Sequence, residues 1–265
     1  MTSAFAQRVV TMTKHFLLAG SLLLAACSST VPSDSDRSVK LANDLNKRGD
    51  YASAAALYER AAQQPGAGID LWLKLGQARL DGNDPPGAER AFQQALGLQA
   101  HNAEALLGLG TAQLRLGKTQ RAVTALGQAA DASQSPVAYT RLGIAHVLNG
   151  QAVTAQTAFA KALSLQPDDL DSRCNLALAY ALGGQSQQAL DTIAPVTQSP
   201  RALPRHQRNE LLVLVLAGYE QRVASLPLDD IPAAERARLI TEANRIKGIS
   251  DPVAQARELG LVDTH

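Results

Sequence analysis

The chain has 265 residues, with 25 lysines and arginines against 24 acids and a formal net charge of +1, a balance that supplies no basic face for nucleic acid. Apolar residues make up 46% and aromatic residues only 4%, so the core must be built from Ala, Leu and Val, which suits close-packed helices rather than a sandwich. There are two cysteines, Cys27 and Cys174, and if Cys27 is modified no disulfide or CxxC metal site can form within one chain.

Residues 1–26 read as a secretory leader. Arg8, Lys14 and His15 form a basic head, and no acid precedes Cys27. The apolar core Phe16 to Ala26 is 11 residues long, enough for a signal and too short to span a bilayer. Met12 is an alternative start, because Met12-Thr13-Lys14 and the apolar core make a compact leader by themselves. The run Leu24-Ala25-Ala26-Cys27, followed by Ser28-Ser29-Thr30, resembles the signal of bacterial lipoproteins. That resemblance implies cleavage before Cys27 and a covalent lipid on its thiol, with no other cofactor; the rival reading is a cleaved signal with an incidental cysteine. No Asp follows Cys27, which by the family rule implies the outer membrane, with the chain facing the periplasm. One acyl chain anchors weakly, at ~0.8 kcal/mol per buried methylene, whereas the multiply acylated cysteine of such lipoproteins would hold. Residues 27–36 are polar and without apolar periodicity, and they read as a flexible tether.

Across residues 35–203 the chain repeats itself at a shift of 34, with units starting at 35, 69, 103, 136 and 170. The seventh place holds Leu41, Leu75, Leu109, Leu142 and Leu176, and the eighth holds Ala42, Gly76, Gly110, Gly143 and Ala177. The twentieth is always Ala (54, 88, 122, 155, 189), and the twenty-fourth is large: Tyr58, Phe92, Leu126, Phe159 and Ile193. Each unit predicts two helices joined at a glycine-marked turn: Gly49-Asp50, Gly82-Asn83, Gly117-Lys118, Gly150-Gln151 and Gly184-Gln185. Small residues at the eighth and twentieth places predict close approach of helix backbones, with the large ones filling the layer between. The pattern resembles the tetratricopeptide repeat, most recognisably at Trp72-Leu73-Lys74-Leu75-Gly76. The expected fold is all-α, a right-handed α-solenoid of about five helix pairs plus C-terminal capping helices. Residues 204–265 supply the caps and tail, with helices expected at Arg208–Arg222 and Ala233–Lys247, broken by Leu226-Pro227 and Ile231-Pro232.

No HExxH, GxSxG, paired metal spacing or phosphate loop occurs, so the reading is not an enzyme. His146 reads as a packed histidine, Cys174 as a structural thiol, and Asp168, Asp169 and Asp171 as acids complementing a helix dipole. In this repeat family the first helix of each unit lines a concave groove. Carried over by place in the unit, that implies a partner-binding lining of Leu73 and Gln77; Leu107, Thr111 and Arg115; Thr140, Ile144 and Leu148; and Cys174, Leu178 and Leu182. The lining grows more apolar towards the C-terminus, so either the chain's own C-terminal helices or a partner's helix should cover it. No nucleic acid or small-molecule substrate is implied.

The segment Arg208-Asn209-Glu210, running through Leu/Val/Ala to Gly218, together with leader and repeats, resembles the TadD family, lipoproteins of the tight-adherence (Flp) pilus apparatus. That resemblance implies a pilotin-like accessory that captures the outer-membrane secretin. Alternatives are a pilotin for type IV pili or another secretin system, or an adaptor for an envelope hydrolase or outer-membrane assembly factor.

Overall fold

A computed structural model describes residues 34–226 and 231–259. Cys27, the leader and the tether up to residue 33 lie outside the described residues, as does 260–265 of the tail. The described residues are helical without strands. The first helices of the pairs are α1 (Asp34–Lys47), α3 (Ile69–Asp81), α5 (Ala103–Arg115), α7 (Pro136–Leu148) and α9 (Leu170–Leu182). Their partners are α2 (Tyr51–Ala62), α4 (Pro85–Leu98), α6 (Thr119–Ser133), α8 (Ala152–Leu165) and α10 (Ser186–Thr197). Then follow α11 (Pro204–Leu216), α12 (Ala233–Lys247) and α13 (Pro252–Glu258). α1 takes in residues 34–36 of the expected tether.

Each turn is built the same way. A residue in the left-handed conformation follows the first helix: Gly49, Asn83, Gly117, Gly150 and Gly184, with φ between 56° and 81°. The next residue's N–H donates to the carbonyl five residues back, as in Asp50 to Leu45, Lys118 to Gln113 and Gln185 to Tyr180. In the second unit the left-handed place belongs to Asn83, while Gly82 keeps φ −81°. Asn tolerates that region better than other non-glycine residues, which is how the turn survives without glycine there. The helices are then started by side-chain caps, among them Asp50, Asp84, Asn102 and Ser135, each accepting from the N–H three residues on.

The same turn recurs once more than the sequence pattern suggested. Gly218 has φ 87°, and Tyr219 N–H donates to Leu214 O. α11 therefore stands in the place of a sixth first helix, starting 34 residues after α9. The expected helix to Arg222 stops at Leu216, because the left-handed Gly218 turns the chain into a short 3-10 segment, Glu220–Ser225. Leu211, fully buried, fills the eighth place where the other units carry Gly or Ala. The tight pairing is thus lost, and α12 instead packs on α11 through Ala243, with Leu190, Leu214 and Val223 in the same apolar cluster. α12 lies at its expected bounds; α13 was not anticipated.

Packing follows the repeat, with one correction of cause. The eighth-place glycines do not meet a neighbouring backbone; they seat the large twenty-fourth side chain of their own unit. A Cβ on Gly76 would stand 2.7 Å from Phe92, and one on Gly143 would stand 2.5 Å from Phe159. Gly110 faces Leu126 in the same way. Phe92 is held from both sides, since Gly108 of the next unit also meets its ring. Leu41, at the seventh place of the first unit, is 53% exposed because no unit precedes it among the described residues. From α3 onward the first helices of successive pairs pack on one another, whereas second helices make no comparable contact, so the stack curves with the first helices inside.

Candidate functional site

The inner face carries polar contacts between first helices at three of its seams, α3 to α5, α7 to α9 and α9 to α11. Arg115 donates to Leu80 O at 2.5 Å, the Thr140 and Ser172 hydroxyls lie 2.8 Å apart, and Arg205 forms a two-pronged pair with Asp171 at 2.9 Å. These bonds span 32 to 35 residues, one unit each, and fix the pitch between neighbours.

Of the expected lining, Gln77 is exposed and bonds Asp81, while Leu107, Arg115, Thr140 and Leu182 are half-buried. Leu73 packs into the cluster around Phe92, and Thr111 is buried with its hydroxyl donating to Leu107 O. Ile144, Leu148, Cys174 and Leu178 are enclosed, in one apolar cluster with Val213 and Leu216 of α11, Ile246 of α12 and Ala256 of α13. The apolar C-terminal half of the lining therefore packs with the chain's own C-terminal helices, Ile144 being the one of the four that also borders an open cleft. α13 lies across the end of α7, with Val253 and Pro252 against Gly150.

Cys174 shows no exposed surface, and burial pushes its thiol up to about 12, against a smaller opposing effect of the Asn209 hydrogen bond. A thiol so placed is protonated at neutral pH and is no nucleophile. His146 is half-exposed rather than packed, its Nδ1 lying 2.8 Å from Gln151 Oε1 at the turn. Asp171 does more than complement a helix dipole. It accepts from Arg205 and from the buried His206, whose Nε2 lies 3.0 Å away. The His206 Nδ1 accepts from Leu203 N–H, which leaves Nε2 to donate. The Arg205 hydrogen bonds, supported by His206, hold the Asp171 carboxyl below the usual carboxylate range. This clamp joins α11 to α9. Its sequence signal was the 34-residue offset between Asp171 and Arg205, legible only once a sixth unit is recognised.

What stays open on the inner face is a cleft of about 650 Å³ between α7, α9 and α11. Pro136, Val137 and Ile144 form its apolar wall, and Arg141, Asn175 and Asn209 its polar one. Arg141, Asn175 and Asn209 all occupy the sixth place of their units, a place absent from the expected lining. Among the described residues, no cluster of three His, Cys, Asp or Glu side chains could hold a metal ion, and no helix is long and apolar enough to cross a membrane.

Residues 73–137 and 158–191 match profiles of the tetratricopeptide repeat. The matched repeats are tetratricopeptide repeats. Over 231 residues the chain is 31% identical to cellulose synthase operon protein C of Xanthomonas axonopodis pv. citri (strain 306), covering 82% of this chain and 15% of that protein. It is 31% identical over 165 residues to a putative cellulose synthase operon protein C of Escherichia coli O157:H7, covering 60% of this chain and 14% of the relative. The chain thus spans only about a seventh of the length of these curated relatives. Among solved structures, MamA superposes with a TM-score of 0.56 at 24% identity, over 60% of this chain and 93% of MamA. A thermophilic tetratricopeptide-repeat protein of Thermus thermophilus, TTC0263, superposes with a TM-score of 0.53 at 18% identity, over 68% of this chain and 99% of that one. Both share the fold. Tetratricopeptide-repeat stacks are protein-interaction modules, and the matched repeats give this chain that kind of fold.

Proposed function

We propose that the chain is a lipid-anchored tetratricopeptide-repeat adaptor on the periplasmic side of the outer membrane, holding one protein component of an export apparatus. The observation that carries the adaptor reading is the inner face. Five successive first helices present one side, its apolar half packs with α11 to α13, and a polar-walled cleft stays open between α7, α9 and α11. The mechanism is physical capture: the cleft selects the client, and the lipid on Cys27 sets its address.

For the client, the resemblance of Arg208 to Gly218 to the TadD family favours the secretin of the tight-adherence pilus, on the pilotin pattern. A second client is favoured by the relatives at 31% identity, whose names speak of a cellulose synthase operon and not of a pilus. The two are separated by cross-linking in cells and recovery of the tagged chain from solubilised outer membranes. Secretin among the cross-linked proteins supports the first client, and cellulose-export proteins without secretin support the second. Recovery of neither, with an envelope hydrolase instead, overturns the export reading. Cys27→Ser is expected to stay folded and leave the outer-membrane fraction; its retention there would count against the lipid anchor.

A further inference from the structure

In the open cleft one cation, Arg141, is left without a partner among the described residues. Its acids are already engaged: Asp171 by Arg205 and His206, and Asp169 by Asp171 N–H and the Ser172 hydroxyl. Arg205 is in turn engaged by Asp171. Arg141, half-buried in the same wall, makes no hydrogen bond or ion pair with any described residue. Burial, and then the like charge of Arg115, lower its pKa, so the site holds a cation at a cost that an arriving anion would relieve. In the same wall Asn175 is only 8% exposed, and its amide has no hydrogen-bond partner among the described residues. Its amide atoms are not sealed off, so a side chain otherwise held in the fold presents an unpartnered donor and acceptor to whatever enters the cleft.

Resting on the reading of the inner face as protein-binding, we propose that this cleft takes an extended segment of a partner protein bearing an aspartate or glutamate, its carboxylate on Arg141 and its backbone on Asn175. A guanidinium matches a carboxylate two-pronged. A side-chain amide both donates and accepts, which fits the paired N–H and C=O of an extended backbone. Val137, 55% exposed at the rim, and Pro136 beside it offer an apolar seat for a neighbouring side chain of the same segment.

The full-length chain in detergent is panned against a phage-displayed library of random short peptides, and enriched peptides are resynthesised with each Asp or Glu changed to Asn or Gln. The enriched peptides are expected to share an acid, and its amide replacement to weaken binding about tenfold or more, as for other charge-assisted hydrogen bonds. Arg141→Gln should cause a similar loss, and the acid-to-amide change should then cost nothing further. Asn175→Ala should weaken binding while keeping the preference for an acid. Enriched peptides without an acid, or ones whose amide versions bind the unaltered chain as tightly, overturn the carboxylate assignment and leave the protein-binding reading standing. No enrichment over an unrelated solubilised protein sinks both. The peptide series uses the unaltered chain, so the outcome stands even if Arg141→Gln fails to fold.

Discussion

In the middle of the stack successive pairs register by steric fit. Phe92 is wedged between Gly76 and Gly108, and Phe159 sits over Gly143. At the C-terminal end the seam between α9 and α11 is pinned by Asp171 with Arg205 and His206, and Leu211 takes a place that elsewhere stays small. A stack needs repetition where it must propagate and a break in repetition where it must stop. Here the break begins inside a sixth unit whose first helix and turn are still regular. Because that unit does not close on a second helix of its own, α11 to α13 pack with the apolar end of the inner face beside the cleft between α7, α9 and α11.

The steric half of the comparison is the easier to break. Phe92→Ala removes a ring that is 1% exposed and is expected to cost about 3–5 kcal/mol. Gly108→Ala drives a methyl into the same ring and should cost about 1–3 kcal/mol by itself. In the Phe92→Ala background the clash is gone, and the better helix propensity of Ala should make Gly108→Ala neutral or favourable by up to ~1 kcal/mol. Urea denaturation of the two single variants and the double variant reads this coupling. Additive costs would mean that Phe92 is not seated on α5.

Leu at the seventh place, small at the eighth and large at the twenty-fourth are all set by one packing layer, so a self-comparison of the sequence exposes them together. The sixth unit is concealed in the sequence because Leu211 and Val223 violate the eighth and twentieth places, although Pro204 and Gly218 keep the spacing of start and turn. The clamp on Asp171 is concealed for the same reason, since its partners belong to that irregular unit. The cleft residues Arg141 and Asn175 lie at a place outside the expected lining. Their significance depends on which neighbours fail to bond them, and that is a property of the assembled face.

The electrostatic seam should yield to a smaller push. Asp171→Asn removes the charge of a half-exposed ion pair and one of the two oxygens that accept from Arg205 and buried His206, and is expected to weaken docking of α11 by about 1 kcal/mol. Cys174 lies beneath that helix, so its alkylation reports the opening; a loss of this size corresponds to roughly fivefold faster labelling. The folded Asp171 carboxyl titrates below its ordinary value. Its contribution is therefore complete above about pH 4 and is lost as pH falls through the folded pKa. Amide exchange in α11 should rise relative to α5 on acidification, and this differential should disappear in Asp171→Asn. An unchanged differential would place the acid-sensitive contact elsewhere.

Whether α11 is a true sixth first helix is sharpened by the turns. Gly117 and Gly218 share a left-handed conformation, with φ 69° and 87°, and a Cβ at either would meet no atom closer than 3.9 Å. Replacing either by Ala should therefore cost only backbone strain, about 1 kcal/mol in each case. Equal losses in melting experiments would put the sixth turn on the footing of the third. A negligible loss at Gly218 would show that the turn is not held in solution. Asn83→Gly is the smallest change, expected to gain no more than a few tenths of a kcal/mol, since Asn already tolerates its φ of 56°. A loss there would mean that the Asn83 side chain holds its turn in a way glycine cannot replace.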